Sequence, residues 1–129
     1  MPFSIVWDDK SRTVLFVSAE GEWSLEDFMG ILNQVVAYLH KVSHPVHVII
    51  DVRQSAIPPL GIVWHSRAAF QRLPGNYAGG IVVTRDTLWR NVVMTVRTLY
   101  AKNNNRLAAV RTIEEARATV QKWRVEGTF

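Results

Sequence analysis

Cysteine is absent from the 129 residues. That excludes a disulfide framework, a thiolate metal site and a cysteine nucleophile, and it fits a reducing compartment. No apolar run approaches the roughly 18 residues of a membrane span. The opening residues, MPFSIVWDDK, lack a basic region leading into an apolar one, so no signal peptide is expected and the expected location is cytoplasmic. No basic run with interleaved aromatics and no recognisable nucleic-acid motif occurs. The remainder, 48% hydrophobic and 20% charged, has the balance of an ordinary globular protein. Its length allows one domain, residues 1–129, with a core that needs no staples.

Carboxylates are scarce in one region. Residues 1–52 carry three Lys and Arg against seven acids, a net charge of −4. Residues 53–111 carry nine bases and only Asp86, a net charge of +8, and the last 18 residues balance. A basic middle suits an anionic membrane surface, nucleic acid or an acidic partner protein, or is simply a solvated surface.

FSIVW at 3–7 and TVLFVSA at 13–19 are β-rich runs joined by DDKSR, which predicts an antiparallel hairpin. Ser24 with Asp27 forms a capping-box signal, and Trp23 with Phe28 a hydrophobic staple, so a helix is expected to about His40. Its apolar stripe runs through Leu25, Phe28, Met29, Leu32, Val35, Val36 and Leu39. Pro45 ends that segment. VHVIIDV is then a nearly continuous apolar run, the mark of a central strand covered on both faces, and is expected to stop near Asp51. After the double proline, residues 60–72 predict a second helix carrying Ile62, Val63, Trp64 and Phe70. LPGNYAGG reads as a loop and IVVT at 81–84 as a strand. A third helix is expected over 87–101, with Leu88, Val92, Val96 and Leu99 on one side and Asn103–Asn105 ending it. LAAV at 107–110 is a last strand, and Thr112 with Glu115 repeats the capping signal before a final helix.

The expected fold is therefore α/β, in the order β-β-α-β-α-β-α-β-α. It has a mixed, mostly parallel five-stranded sheet, about four flanking helices, and an antiparallel strand at or near an edge. This order, with "VIIDV" leading into a polar turn and a helix, resembles the STAS domain of anti-sigma factor antagonists and sulphate-transporter tails. That family's central strand ends in an Asp-containing "LDLS" signature. "IIDVR" followed by a proline-containing loop is most similar to divergent, SpoIIAA-like members related to a lipid-binding group. The resemblance implies a non-enzymatic regulatory module. One departure is plain. Where antagonists carry a phosphorylated serine in a pattern like "DSSGLG", this chain has Pro58-Pro59-Leu60-Gly61-Ile62, so no phosphorylation site carries over.

Ligands of open parallel sheets bind outside the carboxyl ends of the strands. That edge is expected to gather Asp51, Arg53 and Ser55 after one strand and Thr84, Arg85, Asp86 and Thr87 after the next, with Arg90 one turn on. A helix starting near Thr87 offers amides and a positive dipole end to an anion. Alternatively Asp86 or Thr87 is a cap and Asp51 bonds turn amides. Trp64 and Arg67 extend the surface along the second helix, Trp64 either as a partner anchor or in the core. Asp51, Ser55 and His65 have the residue types of a hydrolase triad, but Ser55 lies in RQSAI without the glycines of a nucleophile elbow. His40, His44 and His47 are split by Pro45 and a change of element, so no metal is expected, nor any cofactor or catalytic residue.

The leading function is a module binding a protein partner through the loop and helix after the central strand. The second is a carrier of a small molecule or lipid in an apolar cleft between the second and third helices, and a hydrolase is a distant third. The expected partners are a protein, or an anionic small molecule or lipid, with a second copy of the chain as a further possibility.

Overall fold

A computed structural model describes residues 2–100 and 106–127. Strand β1 (Phe3–Trp7) and β2 (Val14–Gly21) form the hairpin, and α1 spans Leu25–His40. Then follow β3 (Val46–Ser55), α2 (Ile62–Arg72), β4 (Tyr77–Val83), α3 (Thr87–Tyr100), β5 (Leu107–Val110) and α4 (Ile113–Val125). The single sheet has the order β1-β2-β3-β4-β5, with β1 antiparallel at one edge and every other pairing parallel. Class, element order and the central place of the VHVIIDV strand are as the sequence predicts.

Each of the three parallel crossovers steps one strand in the same direction, so right-handed connections set α1, α2 and α3 on one face. The core clusters follow from that. Val48 packs with α1, and Val52 and Val82 pack with α2 and α3. On the opposite face Ile49, Ile81 and Val83 meet Ala116, Val120 and Trp123 of α4. The continuous apolar run of β3 has this cause: even-numbered residues serve three helices and odd-numbered ones serve α4.

The local signals act as read at α1. Ser24 accepts from the Asp27 amide, the Asp27 carboxylate accepts from the Ser24 amide, and the Trp23 and Phe28 rings stack at 6.3 Å. At α4 only half of the box forms, because Thr112 accepts from the Glu115 amide while the Glu115 carboxylate turns to the Thr112 hydroxyl.

Three expectations are corrected. Strand β3 does not end near Asp51 but runs to Ser55, with an extra residue bulged between the Ser18–Asp51 and Glu20–Gln54 pairings. Tyr77–Gly80 is strand rather than loop, because its glycines make room for neighbouring rings. A Cβ on Gly79, at φ +151°, would fall 2.8 Å from the Trp123 ring, and one on Gly80 would fall 2.6 Å from the Tyr77 hydroxyl. Helix α3 is rotated from the expected phase: Trp89, Val93 and Val96 are buried, while Leu88 and Leu99 are exposed. The Asn103–Asn105 cap lies outside the described residues.

Candidate functional site

The residues expected to share one strand-end edge fall into three places. Asp51 and Arg53 lie in β3, on the α4 side. They bond each other: Arg53 Nε and Nη2 donate to the two carboxylate oxygens at 3.0 Å, and the Arg53 amide donates to Oδ1 at 3.0 Å. Burial alone raises the Asp51 pKa, but the hydrogen bonds from Arg53 and its charge outweigh burial and hold it below the usual carboxylate value. The pair is self-contained, with little charge left to offer a ligand.

Ser55 follows the bulge and turns to the other side. Its Oγ accepts the Trp23 indole N–H at 2.7 Å and donates to the Ala56 carbonyl at 3.0 Å. His65 is on α2, with Nδ1 at 3.1 Å from the Gly61 carbonyl. Asp51 faces α4 and His65 belongs to the opposite helical layer, so the sheet separates the acid of the conjectured triad from its histidine. Ser55 donates to Ala56 and His65 Nδ1 bonds the Gly61 carbonyl, so neither hydrogen bond joins the two.

The second place is a small cavity of about 40 Å³ at the ends of β4 and β5. Thr84, Arg85, Thr87 and Arg90 line it, together with Arg111, which sequence reading missed. Asp86 caps α3, its Oδ1 accepting from the Leu88 amide at 2.7 Å and the Trp89 amide at 3.3 Å, while Thr84 Oγ1 accepts from the Asp86 amide. The carboxylate thus occupies two of the helix-start amides that an anion would need.

The third is the loop from Ser55 to Gly61 and the first turns of α2. Ile57 is 70% exposed, Leu60 96% and Trp64 76%, and Arg67 lies one turn beyond Trp64, exposed. Gly61, at φ +85°, turns the chain into α2. Trp64 thus does not join the core; Ile62, Ser66 and Ala69 are the buried residues of that helix.

Beneath α2 lies a feature that no periodicity announces. An apolar cavity of about 170 Å³ opens between the sheet and helices α1, α2 and α3. Its walls include Val48 and Val52 of β3, Phe28 of α1, Ala69 of α2 and Val93 of α3.

The histidines do not converge. His44 Nε2 bonds the Arg12 carbonyl at 2.8 Å, and His47 is buried beside Trp123 with ring centroids 5.9 Å apart. Among the described residues no group of three His, Cys, Asp or Glu is placed to hold a metal ion. No described helix is long and apolar enough to cross a membrane.

No family model matches the chain, and no curated protein matches it either. Solved structures do. An uncharacterised protein of the DUF3478 family with a SpoIIAA-like fold, from Shewanella loihica PV-4, is 12% identical, with a TM-score of 0.68 over 91% of this chain and 92% of that one. An anti-sigma factor antagonist from Mycobacterium paratuberculosis is 18% identical, with a TM-score of 0.61 over 92% and 94%. At these identities the likeness is one of architecture: the chain has the SpoIIAA-like fold, as its element order and its Asp51 strand led us to expect.

Proposed function

We propose that the chain is a non-enzymatic, STAS-like regulatory module that docks an acidic protein partner on the loop before α2 and that helix's first turns. One observation carries the reading. Ile57, Leu60 and Trp64 are exposed together in a stretch, residues 52–85, that contains no carboxylate. Large apolar side chains at the centre of a contact supply most of its affinity, and Trp is prominent among such anchors. Arg67, Arg85 and Arg90 make no ion pair among the described residues, so their charge is available to steer an acidic surface. Arg53 differs because Asp51 already holds it. The similarity in fold to an anti-sigma factor antagonist supports a regulatory protein contact as the class of function. Switching by phosphate on residues 58–62 is not part of the proposal, since that segment has no hydroxyl.

The test is quantitative capture from the cognate lysate by the wild type, by Leu60→Ser/Trp64→Ala, and by Arg67→Glu/Arg85→Glu/Arg90→Glu. The expected result is one protein retained by the wild type, released as salt rises, and lost by both variants while each melts as the wild type does. A partner held equally by the folded variants overturns the proposal. So does variant-sensitive binding to phosphatidylserine vesicles with no protein retained, which would assign the surface to a membrane.

A further inference from the structure

The cavity of about 170 Å³ is lined by residues none of which carries a charge. Its few polar groups are mostly engaged elsewhere. Trp23 Nε1 donates to Ser55, Trp89 Nε1 donates to the Ala56 carbonyl at 3.0 Å, and Ser66 Oγ donates to the Ile62 carbonyl at 2.8 Å. The exception is Tyr77. Its hydroxyl makes no hydrogen bond to another described residue, and it stands over Gly80, where a Cβ would fall 2.6 Å away. A glycine at that position keeps open the space that the hydroxyl occupies.

Apolar interiors pack with few voids larger than a water molecule, and a dry apolar cavity of about 150 Å³ in an unrelated engineered protein accepts benzene or xenon. Water gains nothing here, because it needs two or more polar partners and finds one hydroxyl. A charged head group would be desolvated without compensation. We infer that this cavity is a binding site for a compact, uncharged, apolar molecule about the size of one aromatic ring, oriented by a single hydrogen bond to the Tyr77 hydroxyl. This inference does not rest on the docking surface of α2.

Toluene and p-cresol, which share a skeleton and differ by one hydroxyl, are the probes. With the full chain, each is expected to raise the melting midpoint saturably, by about 5 °C at roughly ten times its dissociation constant. In NMR spectra the bound toluene methyl should show contacts to the Ala69 and Val93 methyl groups. The p-cresol is expected to bind more tightly than toluene to the wild type and equally to Tyr77→Phe, with toluene affinity unchanged by that substitution. Ala69→Phe, which fills the space, should abolish both. If neither probe shifts the midpoint and no contacts appear, the site is refuted. The same holds if a folded Ala69→Phe variant binds both as the wild type does. Should Ala69→Phe fail to fold, the contacts in the wild-type protein decide. Equal affinity of the two probes for the wild type overturns the role of Tyr77.

Discussion

Asp51 and Arg53 are bound to each other across two residues of one strand, with both guanidinium contacts at 3.0 Å. The bulge that follows Asp51 lets the Arg53 amide join the same carboxylate. A sequence position that looked like an offered acid is therefore one half of a closed pair. Replacing Arg53 with Met removes the guanidinium's hydrogen bonds and charge from Asp51 and leaves only the backbone amide against burial, so the carboxyl pKa should rise. Carboxyl-carbon NMR titration of Asp51 measures it directly. The pair is only partly buried, so the stability lost should be about 1 kcal/mol or less. An unmoved Asp51 titration would mean that the pair does not form in solution.

His47 gives a pH dependence of known sign. Burial, and then the charges of Arg124 and Arg106, lower its pKa from 6.5 to about 4. Between those values only the unfolded chain takes up the proton. Stability is therefore full above pH 6.5 and falls as the pH drops toward 4, by about 3 kcal/mol at 1.36 kcal/mol per unit. Urea unfolding between pH 7.5 and 4.5 should trace that loss. In His47→Leu the slope across this window should flatten; a slope unchanged by the substitution assigns the effect to other groups.

Gly80 and Tyr77 are coupled through one atom. A Cβ on Gly80 meets the Tyr77 hydroxyl at 2.6 Å but the ring carbon that bears it at an ordinary 3.7 Å. Gly80→Ala alone should destabilise by about 1–3 kcal/mol, as overpacking does. Adding Tyr77→Phe removes the colliding atom and should restore most of the loss. Denaturant midpoints of the two singles and the double close the cycle, and strict additivity would show that the clash is relieved some other way.

These glycines also mark where the sequence stops being legible. Gly-Gly carries a loop signal in composition, and nothing local says that Trp123, over forty residues on, fills the place of the missing side chain. The capping box and staple at Ser24 were readable because they are local chemistry, complete within six residues. The phase of α3 was not, because Leu88 and Leu99 are as apolar as the valines that are buried. That phase is set by tertiary contact, including the Trp89 bond to Ala56. At the candidate site the residue types were readable, but the face each occupies depends on a bulge. The cavity depends on how three helices rest on the sheet, and no pattern of single residues encodes it.

Asn76 holds the segment after α1 in place. Its side-chain amide donates toward the carbonyls of Leu39, Val42 and His44 at 2.9 to 3.3 Å. Asn76→Ala removes the side-chain donor from the Val42 and His44 carbonyls, while Leu39 keeps the Val42 amide, and should cost about 1–3 kcal/mol. Asn76→Asp should cost at least as much, because it points a carboxylate at three acceptors. Thermal melts of the two variants rank them; a harmless Asn76→Asp would show that water replaces the amide at this site.

Trp64 and Trp89 separate docking from packing. Both are tryptophans near the start of a helix, yet one is 76% exposed and the other 5%. Trp89 also donates its indole N–H to the Ala56 carbonyl and packs against Trp23 at 5.8 Å. Trp89→Ala should therefore lose about 3–5 kcal/mol, the range for a buried aromatic, and leaves the Ala56 carbonyl with the Ser55 hydroxyl as its donor. Trp64→Ala removes no core contact and should stay within about 0.5 kcal/mol of the wild type. Chemical unfolding of both variants makes the comparison. A large loss on Trp64→Ala would mean that its ring covers the core in solution, and the docking surface proposed for the α2 loop would then lose its anchor.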